Sequence, residues 1–339
     1  MKSPAADRDT GLLSPLRAGT PVERAVSDQA WLQAMLDAEA ALARAQARLG
    51  TVPEKAAALI TAAARAESVN ARDIAVRARG TADPVAELIG AFTRVVAKLD
   101  ADAAPYVHRG ATSQDILDTA ALLVCGRALR LVRGDLQRVL TALPARAVPG
   151  RRAWAVDGQR SVAEADGRLA GLLDDGLPAV LHGPDRALAT VFAEEAGLAA
   201  AGPAGPTAPA PLVEVGQALT GTVQALDELV TGVRTVPAGT FGHPGPGELP
   251  SAVAEFHERT RGPAELVRGA ALQVPALCTI LELCRPARRE QPPAARHAVW
   301  QPLREILRLT GGAAHTAARL TEDLDTALRA ASRMRLSPF

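Results

Sequence analysis

Helical spacing of apolar residues constrains the fold of this 339-residue chain more than any other feature. Between Trp31 and Leu49, apolar and alanine residues recur at alternating steps of four and three positions. Ser27 precedes this stretch as a candidate helix cap, and Gly50 follows it as a stop signal. Such spacing places the apolar side chains on one face of an α-helix. Alternating patterns typical of β-strands are almost absent, so the sequence predicts an all-α fold.

Further segments of the chain show the same helical spacing. Pro53 and the Asp83-Pro84 pair mark two helix starts, because proline fits the first turn of a helix. Several later helices would be about twice the globular mean of ~12 residues, which favours an elongated bundle that forms oligomers. The predicted helices beyond the first cover residues 53–64, 84–99, 112–143, 161–173, 184–196, 212–236, 263–284 and 300–331. Residues 201–211 and 237–250 are rich in proline and glycine, and we expect them to be irregular.

Charge and composition argue against several classes of partner. The chain has 38 basic and 37 acidic residues, so its formal charge of +1 gives no global attraction for nucleic acid or an anionic membrane. No apolar run reaches the ~20 residues that span a bilayer, and the N-terminus has no signal-peptide core. The three cysteines form no pairs or metal-ligand groups in the sequence. We therefore expect a cytoplasmic protein without metal, cofactor, nucleic acid or membrane partner.

Residues 107–120 (VHRGATSQDILDTA), called the anion segment below, have the strongest chemical signal. Gly110, Thr112 and Ser113 precede a long helix, where unpaired backbone N–H groups and the positive end of the helix dipole attract an anion. The two hydroxyl groups can add donors to a carboxylate, and His108 lies just upstream. An ordinary helix N-cap beside an incidental histidine is the alternative interpretation of these residues.

The anion segment resembles the first signature region of the fumarase/aspartase superfamily, and most closely its 3-carboxy-cis,cis-muconate cycloisomerase branch. The resemblance covers nearly the whole chain, more weakly in the middle. Other similar stretches, in the same order, are LLSP (12–15), SDQAWL (27–32), MLDAEAALARA (35–45), DPV (83–85), RGAALQVPAL (268–277) and HAVWQPLREILRLTGGAA (297–314). The resemblance implies a helical bundle that assembles as a homotetramer, with each active site built from three subunits.

The resemblance also implies a domain organisation. We expect an N-terminal helical domain over residues 1–105 and a central long-helix bundle over residues 106–339 that forms the oligomer core. The chain ends at Phe339, where the family continues into a small C-terminal domain, so we expect that domain to be absent.

The second signature region of the family is altered here. It reads Gly-Arg-Thr-x-x-Gln-His-Ala-x-Pro in the family, whereas residues 150–157 of this chain are GRRAWAVD. Val156 therefore holds the position of the family's histidine. Asp157, next to it, could act as a base in place of that histidine, or it could be an exposed loop aspartate.

The third signature region is a mobile loop in the family, and residues 250–263 (PSAVAEFHERTRGP) resemble it. His257 and Arg259 match the cycloisomerase version of this loop, but Glu258 replaces its lysine. Ala252 and Val253 replace the serine pair that includes the usual general base. Ser251 is one residue away, so a shifted alignment would restore a serine.

These losses oppose the family's usual reaction. Elimination next to a carboxylate passes through a doubly charged aci-carboxylate, which fixed positive charge and N–H donors stabilise. A lysine contributes roughly 4 kcal/mol at about 4 Å with an effective dielectric constant of about 20, and an inward-pointing Glu258 would oppose the intermediate by a similar amount. Alanine and valine cannot accept a proton.

Two hypotheses follow. The first is a repurposed lyase or cycloisomerase that acts on a small carboxylated molecule in specialised metabolism. Its candidate substrate-binding residues are His108, Thr112, Ser113, Gln114 and Arg259, and its candidate catalytic residues are His257, Ser251 and Asp157. Glu39 could also reach the site, or it could form a surface salt bridge. The second hypothesis is an inactive structural or regulatory homologue that assembles with itself or with a complete superfamily member.

Overall fold

Helices account for nearly all the regular structure of the protein. The structure, a computed structural model, describes residues 10–143, 152–183, 185–201, 209–234, 249–285 and 293–336. Within these ranges the chain forms eleven α-helices and one isolated β-bridge between Pro178 and Ala199, which confirms the all-α prediction. The helices are α1 (Pro21–Ala25), α2 (Asp28–Arg48), α3 (Glu54–Ala63), α4 (Ala71–Thr81), α5 (Pro84–Leu99), α6 (Ser113–Ala142), α7 (Arg152–Asp174), α8 (Arg186–Ala196), α9 (Pro209–Arg234), α10 (Leu249–Leu283) and α11 (Pro293–Leu336).

Side-chain caps place several helix starts where the sequence predicts them. The Ser27 hydroxyl accepts the N–H of Ala30 at the start of α2, and the Asp83 carboxylate accepts the N–H of Ala86 at 2.9 Å at the start of α5. These caps satisfy N–H groups that have no partner inside the helix. Helix α4 was not predicted, because Ile74 is its only buried residue and its apolar face is correspondingly weak.

The predicted loop over residues 250–263 is wrong, since these residues lie within α10. Proline marks both ends of the segment and Gly262 precedes the second proline, but residues 251–261 contain no glycine or proline and include several good helix formers. Pro263 itself lies inside the helix, where it removes one backbone hydrogen bond without ending α10. The irregular segments predicted at 201–211 and 237–250 lie largely outside the described residues.

The long helices pack into one bundle, and the shorter N-terminal helices cover one part of α6. Helix α9 packs against α7, α10 and α11, while α6 packs against α7 and α11. Helix α2 packs against α3 on its own side of the predicted domain boundary at residue 105, and against α6 and α8 on the other side. Leu122, Leu129 and Leu136 of α6 are fully buried along this bundle. Helix α6 is therefore the element that joins the N-terminal helices to the long bundle.

Helix α10 has an apolar surface that the described part of the chain does not cover. The stretch Glu255–Leu283 is long and apolar enough, by length and composition, to cross a membrane. It was not predicted as such a segment because polar residues such as Arg268 and Gln273 interrupt its apolar runs. Leu272 and Leu283 are 77% and 80% exposed.

Two adjacent glycines allow α11 to approach the N-terminal segment closely. A Cβ on Gly311 would lie 2.6 Å from a methyl group of Val22, and one on Gly312 would lie 2.5 Å from the carbonyl oxygen of Leu16. The second contact is with backbone, which cannot move aside as a flexible side chain can. The close approach therefore depends on the absence of a side chain at these positions.

We expect Gly312→Ala to lower the free energy of unfolding by roughly 1–3 kcal/mol, because the added methyl overpacks against the backbone of Leu16. Urea denaturation measures this change. Gly134→Ala is the matched control on exposed α6 surface, where a Cβ meets nothing within 4 Å. The control should raise stability by about 0.5–1 kcal/mol, since alanine favours the helix over glycine. Equal effects of the two variants would contradict the close packing of α11.

Candidate active site

A tight reversal of the backbone leads into α6. His108 and Gly110 both have positive φ angles, of 58° and 76°. The left-handed region is unusual for a residue with a side chain, although histidine tolerates it better than most. The Gln46 amide of α2 donates a 2.5 Å hydrogen bond to the carbonyl of Arg109 and holds the turn. Tertiary contacts with α2 thus fix the backbone that presents the His108 side chain.

The start of α6 is a complete capping box. The Thr112 hydroxyl accepts the N–H of Asp115 at 3.2 Å and donates to Oδ2 of Asp115 at 2.8 Å. The same Oδ2 accepts the N–H of Thr112 at 2.8 Å. The Thr112 hydroxyl proton is therefore committed to the cap. This observation fits the alternative interpretation of Thr112 as a structural residue.

Ser113 and Gln114 follow the cap in the first turn of α6. Both are half-buried. The Ser113 hydroxyl has no hydrogen-bond partner among the described residues, so it can donate to a ligand. The Gln114 amide donates to Oδ1 of the buried Asp118 at 2.5 Å. Of the two hydroxyl groups that the sequence singles out, the one on Ser113 is thus better suited to bind a carboxylate.

The structure adds His182, which the sequence analysis missed. Its backbone N–H and its ring Nδ1 lie 2.8 and 2.6 Å from the Oδ1 atom of Asp115. The Asp115 side chain is fully buried, whereas that of His182 is 54% exposed. Burial raises the pKa of Asp115, but hydrogen bonds from His182 and Thr112 outweigh it, so the pKa lies below its usual range. Asp115 is therefore a buried carboxylate that stays ionised.

The segment that bears His182 is held to α6 at a second point. The Thr119 hydroxyl donates to the carbonyl of Val180 and accepts the N–H of Val180, each at 3.1 Å. Nearby, Ala179 and Leu177 exchange backbone hydrogen bonds with Ala199, each 2.9 Å long. Residues 177–182 are thus fixed along α6 although they form no helix.

A second buried carboxylate lies against His108. Nδ1 of His108 lies 2.7 Å from Oε1 of Glu39, whose side chain is fully buried, while that of His108 is 19% exposed. Oε2 of Glu39 has no hydrogen-bond partner among the described residues. Burial lowers the pKa of His108, but the hydrogen bond and charge of Glu39, with smaller attractions from Asp115 and Asp83, raise the pKa above its usual value. Glu39 therefore reaches the site and favours the charged form of His108.

The residues in and around the start of α6 are called the α6 site below, and the charge of Asp115 acts on His108 across it. They are Glu39, His108, Ser113, Asp115 and His182. Each of its two histidines bonds through Nδ1 to a fully buried carboxylate. The charged form of His108 and the helix N–H groups together suit a negatively charged ligand. Among the described residues, no three His, Cys, Asp or Glu side chains are arranged to hold a metal ion.

The other candidate residues from the sequence lie apart from the α6 site. Asp157 is exposed on α7 and pairs with Arg160 at 3.1 Å. His257 is half-buried on α10, with its ring edge-on to Phe256, and Arg259 is exposed on the same helix. Among the described residues, no hydrogen bond or ion pair joins these three to the α6 site. Ser251 lies in α10, but its side chain is outside the described residues.

Comparison with known proteins finds relatives along almost the whole chain. A family model described as a lyase matches residues 19–152. The chain is 42% identical to nitrosuccinate lyase of Streptomyces davaonensis, over 94% of this chain and 76% of that protein. It is 32% identical to 3-carboxy-cis,cis-muconate cycloisomerase of Pseudomonas aeruginosa, over 90% of this chain and 73% of that protein. The 3-carboxy-cis,cis-muconate lactonizing enzyme of Pseudomonas putida has the same fold, with a TM-score of 0.80 and 27% identity over 92% of this chain and 76% of that one.

The pairing of Glu39 with His108 predicts a pH dependence of stability. Because the pKa of His108 is raised on folding, its contribution is complete below the unfolded value of about 6.5 and is lost as pH rises through the folded value. His108→Asn, which tolerates the positive φ, should therefore lower the free energy of unfolding more at about pH 6 than at about pH 9. Urea denaturation at both pH values measures the difference.

The control for this pH dependence is His297→Asn, which removes an exposed histidine on α11. His297→Asn should change the free energy of unfolding little at either pH value. An effect of His108→Asn that is equal at the two pH values, or larger at the higher one, would show that Glu39 does not favour the charged imidazole.

Proposed function

Because this chain belongs to the fumarase/aspartase superfamily, we propose that it is a lyase that eliminates an anionic leaving group from a small dicarboxylate, with nitrosuccinate as the first candidate. Its relatives are lyases and cycloisomerases, and its identity is higher to the nitrosuccinate lyase, at 42%, than to the Pseudomonas aeruginosa cycloisomerase, at 32%. Cyclisation of a carboxylated muconate by addition to a double bond is the alternative reaction.

The pairing of His108 with buried Glu39 is the observation that carries this proposal. It favours a positive charge close to the start of α6, where helix N–H groups and the Ser113 hydroxyl can donate to a carboxylate. In elimination, a base removes a proton from the carbon next to one carboxylate. That carboxylate then becomes a doubly charged aci-carboxylate. His108 would offset part of this charge in place of the lysine that Glu258 replaces.

Elimination of nitrite from nitrosuccinate balances in atoms and electrons without a further reactant. For nitrosuccinate, a proton leaves one methylene carbon and nitrite leaves the neighbouring carbon with the electrons of the broken C–N bond. The products are fumarate, nitrite and a proton. His257, Ser251 and Asp157 stay candidates for the proton-transfer step.

We also propose that the protein works as a homotetramer. The exposed apolar residues of α10, such as Leu272 and Leu283, would be covered by other subunits. His257 and Arg259 of one subunit would then meet the α6 site of another, which explains why they do not contact it within one chain. A cytoplasmic location is part of this proposal.

An inactive homologue is the competing function, and the sequence differences favour it. Val156, Ala252 and Val253 hold positions where the family has its histidine and its serine pair. Such a chain would assemble with itself or with a complete superfamily member. It would purify together with that member and would have no turnover of its own.

Turnover of nitrosuccinate by the purified protein tests the proposed function. Nitrite and fumarate should appear in equal amounts, and Ser113→Ala should lower kcat/KM by about 10- to 100-fold, because a hydrogen bond to a charged ligand is worth about 1.5–3 kcal/mol. Ser68→Ala, at an exposed position in the turn Ala66–Ser68, is the control and should leave turnover unchanged.

Other outcomes separate the competing functions. Conversion of 3-carboxy-cis,cis-muconate to a lactone, without release of nitrite from nitrosuccinate, would favour the cycloisomerase reaction. Absence of turnover with both substrates would contradict the lyase and favour the inactive homologue. Full activity of Ser113→Ala would exclude the proposed carboxylate contact at the start of α6.

A further inference from the structure

The contacts of His182 exceed what is needed to hold its segment in place. Its backbone N–H already bonds to Oδ1 of Asp115, and Thr119 fixes Val180 two residues earlier. The imidazole Nδ1 nevertheless makes a second, 2.6 Å bond to the same carboxylate oxygen. This bond adds little to anchoring, but it fixes the orientation of the ring.

The carboxylate also fixes which ring nitrogen has the proton. Asp115 accepts from Thr112 at Oδ2 and from His182 at Oδ1, and it stays ionised. A neutral imidazole beside an ionised carboxylate has its proton on Nδ1, so Nε2 is the basic nitrogen. A buried aspartate that orients a histidine and stabilises its charged form is the usual support of a histidine base.

The two histidines of the α6 site differ in accessibility. The side chain of His182 is 54% exposed and that of His108 is 19% exposed, while both carboxylate partners are fully buried. His182 can therefore exchange protons with a ligand and then with water. His108, which is more enclosed and has a raised pKa, is suited to hold charge.

We propose that His182, oriented by Asp115, is the general base that removes the proton from the dicarboxylate at the α6 site. This inference rests on the proposed function and assigns its proton-transfer step to a residue outside the family's signature regions. His182 would thus be the base in a chain that has Val156 and Ala252 where the family has a histidine and a serine.

The step balances without any co-reactant. Neutral His182 accepts the proton at Nε2 and becomes an imidazolium stabilised by Asp115. The electron pair of the broken C–H bond passes through the aci-carboxylate into the new carbon–carbon double bond, and nitrite leaves with the electrons of the C–N bond. The imidazolium then releases its proton to water, which restores the neutral base.

His182→Asn tests this role while it preserves the contact with Asp115. The asparagine amide can take the place of Nδ1, whereas nothing replaces Nε2. We expect kcat for nitrosuccinate to fall by about 100-fold or more with KM changed less than about 3-fold, because general acid–base catalysis contributes 10²–10⁴-fold. The acid limb of the pH–rate profile should disappear in the variant. His297→Asn is the matched control and should retain the wild-type rate and profile.

Rescue by a small base provides a second measurement. Added imidazole should restore a measurable part of the activity of His182→Ala, in proportion to the concentration of its neutral form. Urea denaturation of both His182 variants checks that each is folded. A folded His182→Asn protein with wild-type kcat and pH profile would overturn the inference and leave the proposed function intact.

Binding of fumarate separates failure of this inference from failure of the proposed function. If wild-type protein releases no nitrite, the proposed function fails, and the ring signals of His182 in NMR spectra become the deciding measurement. Addition of fumarate should shift these signals and leave those of His297 unchanged. Absence of a shift at His182 would overturn the inference.

Discussion

The buried carboxylate of Asp115 is the constraint on which the local structure depends. An ionised group without contact with water is costly unless several donors surround it. Asp115 receives four hydrogen bonds, two from Thr112 and two from His182. These bonds fix where α6 begins and bring residues 177–182 against that point. The cap of the helix and the position of His182 are therefore consequences of one interaction.

The fold is largely predictable from local signals, because helix spacing and caps act over a few residues. Ser27 and Asp83 cap α2 and α5 as their sequences indicate. Prediction fails where the local signals are weak or misleading. Residues 250–263 are bracketed by prolines, yet they continue as part of α10, and α4 forms with Ile74 as its one buried side chain. Neither result is visible in the periodicity of a single sequence.

The site was only partly predictable, for a different reason. The anion segment identifies the start of α6, and Glu39 was recognised as a residue that could reach it. His182 was missed because it bonds to a residue 67 positions away and lies on an irregular segment without periodicity or a motif. The pairing depends on Thr119 and Ala199, which align that segment along α6. Contacts of this kind follow from tertiary structure, and no local pattern indicates them.

The two histidine–carboxylate pairs divide the tasks that elimination requires. Stabilising an aci-carboxylate needs a positive charge that persists, whereas removing a proton needs a base that is neutral before the reaction. The hydrogen bond and negative charge of Glu39 favour the charged form of His108 and outweigh the opposing effect of its burial. Exposure of His182 allows it to return its proton to water after each turnover. A chain that has Glu258 in place of the family's lysine and Val156 in place of its histidine thus still has a charge and a base at the start of one helix.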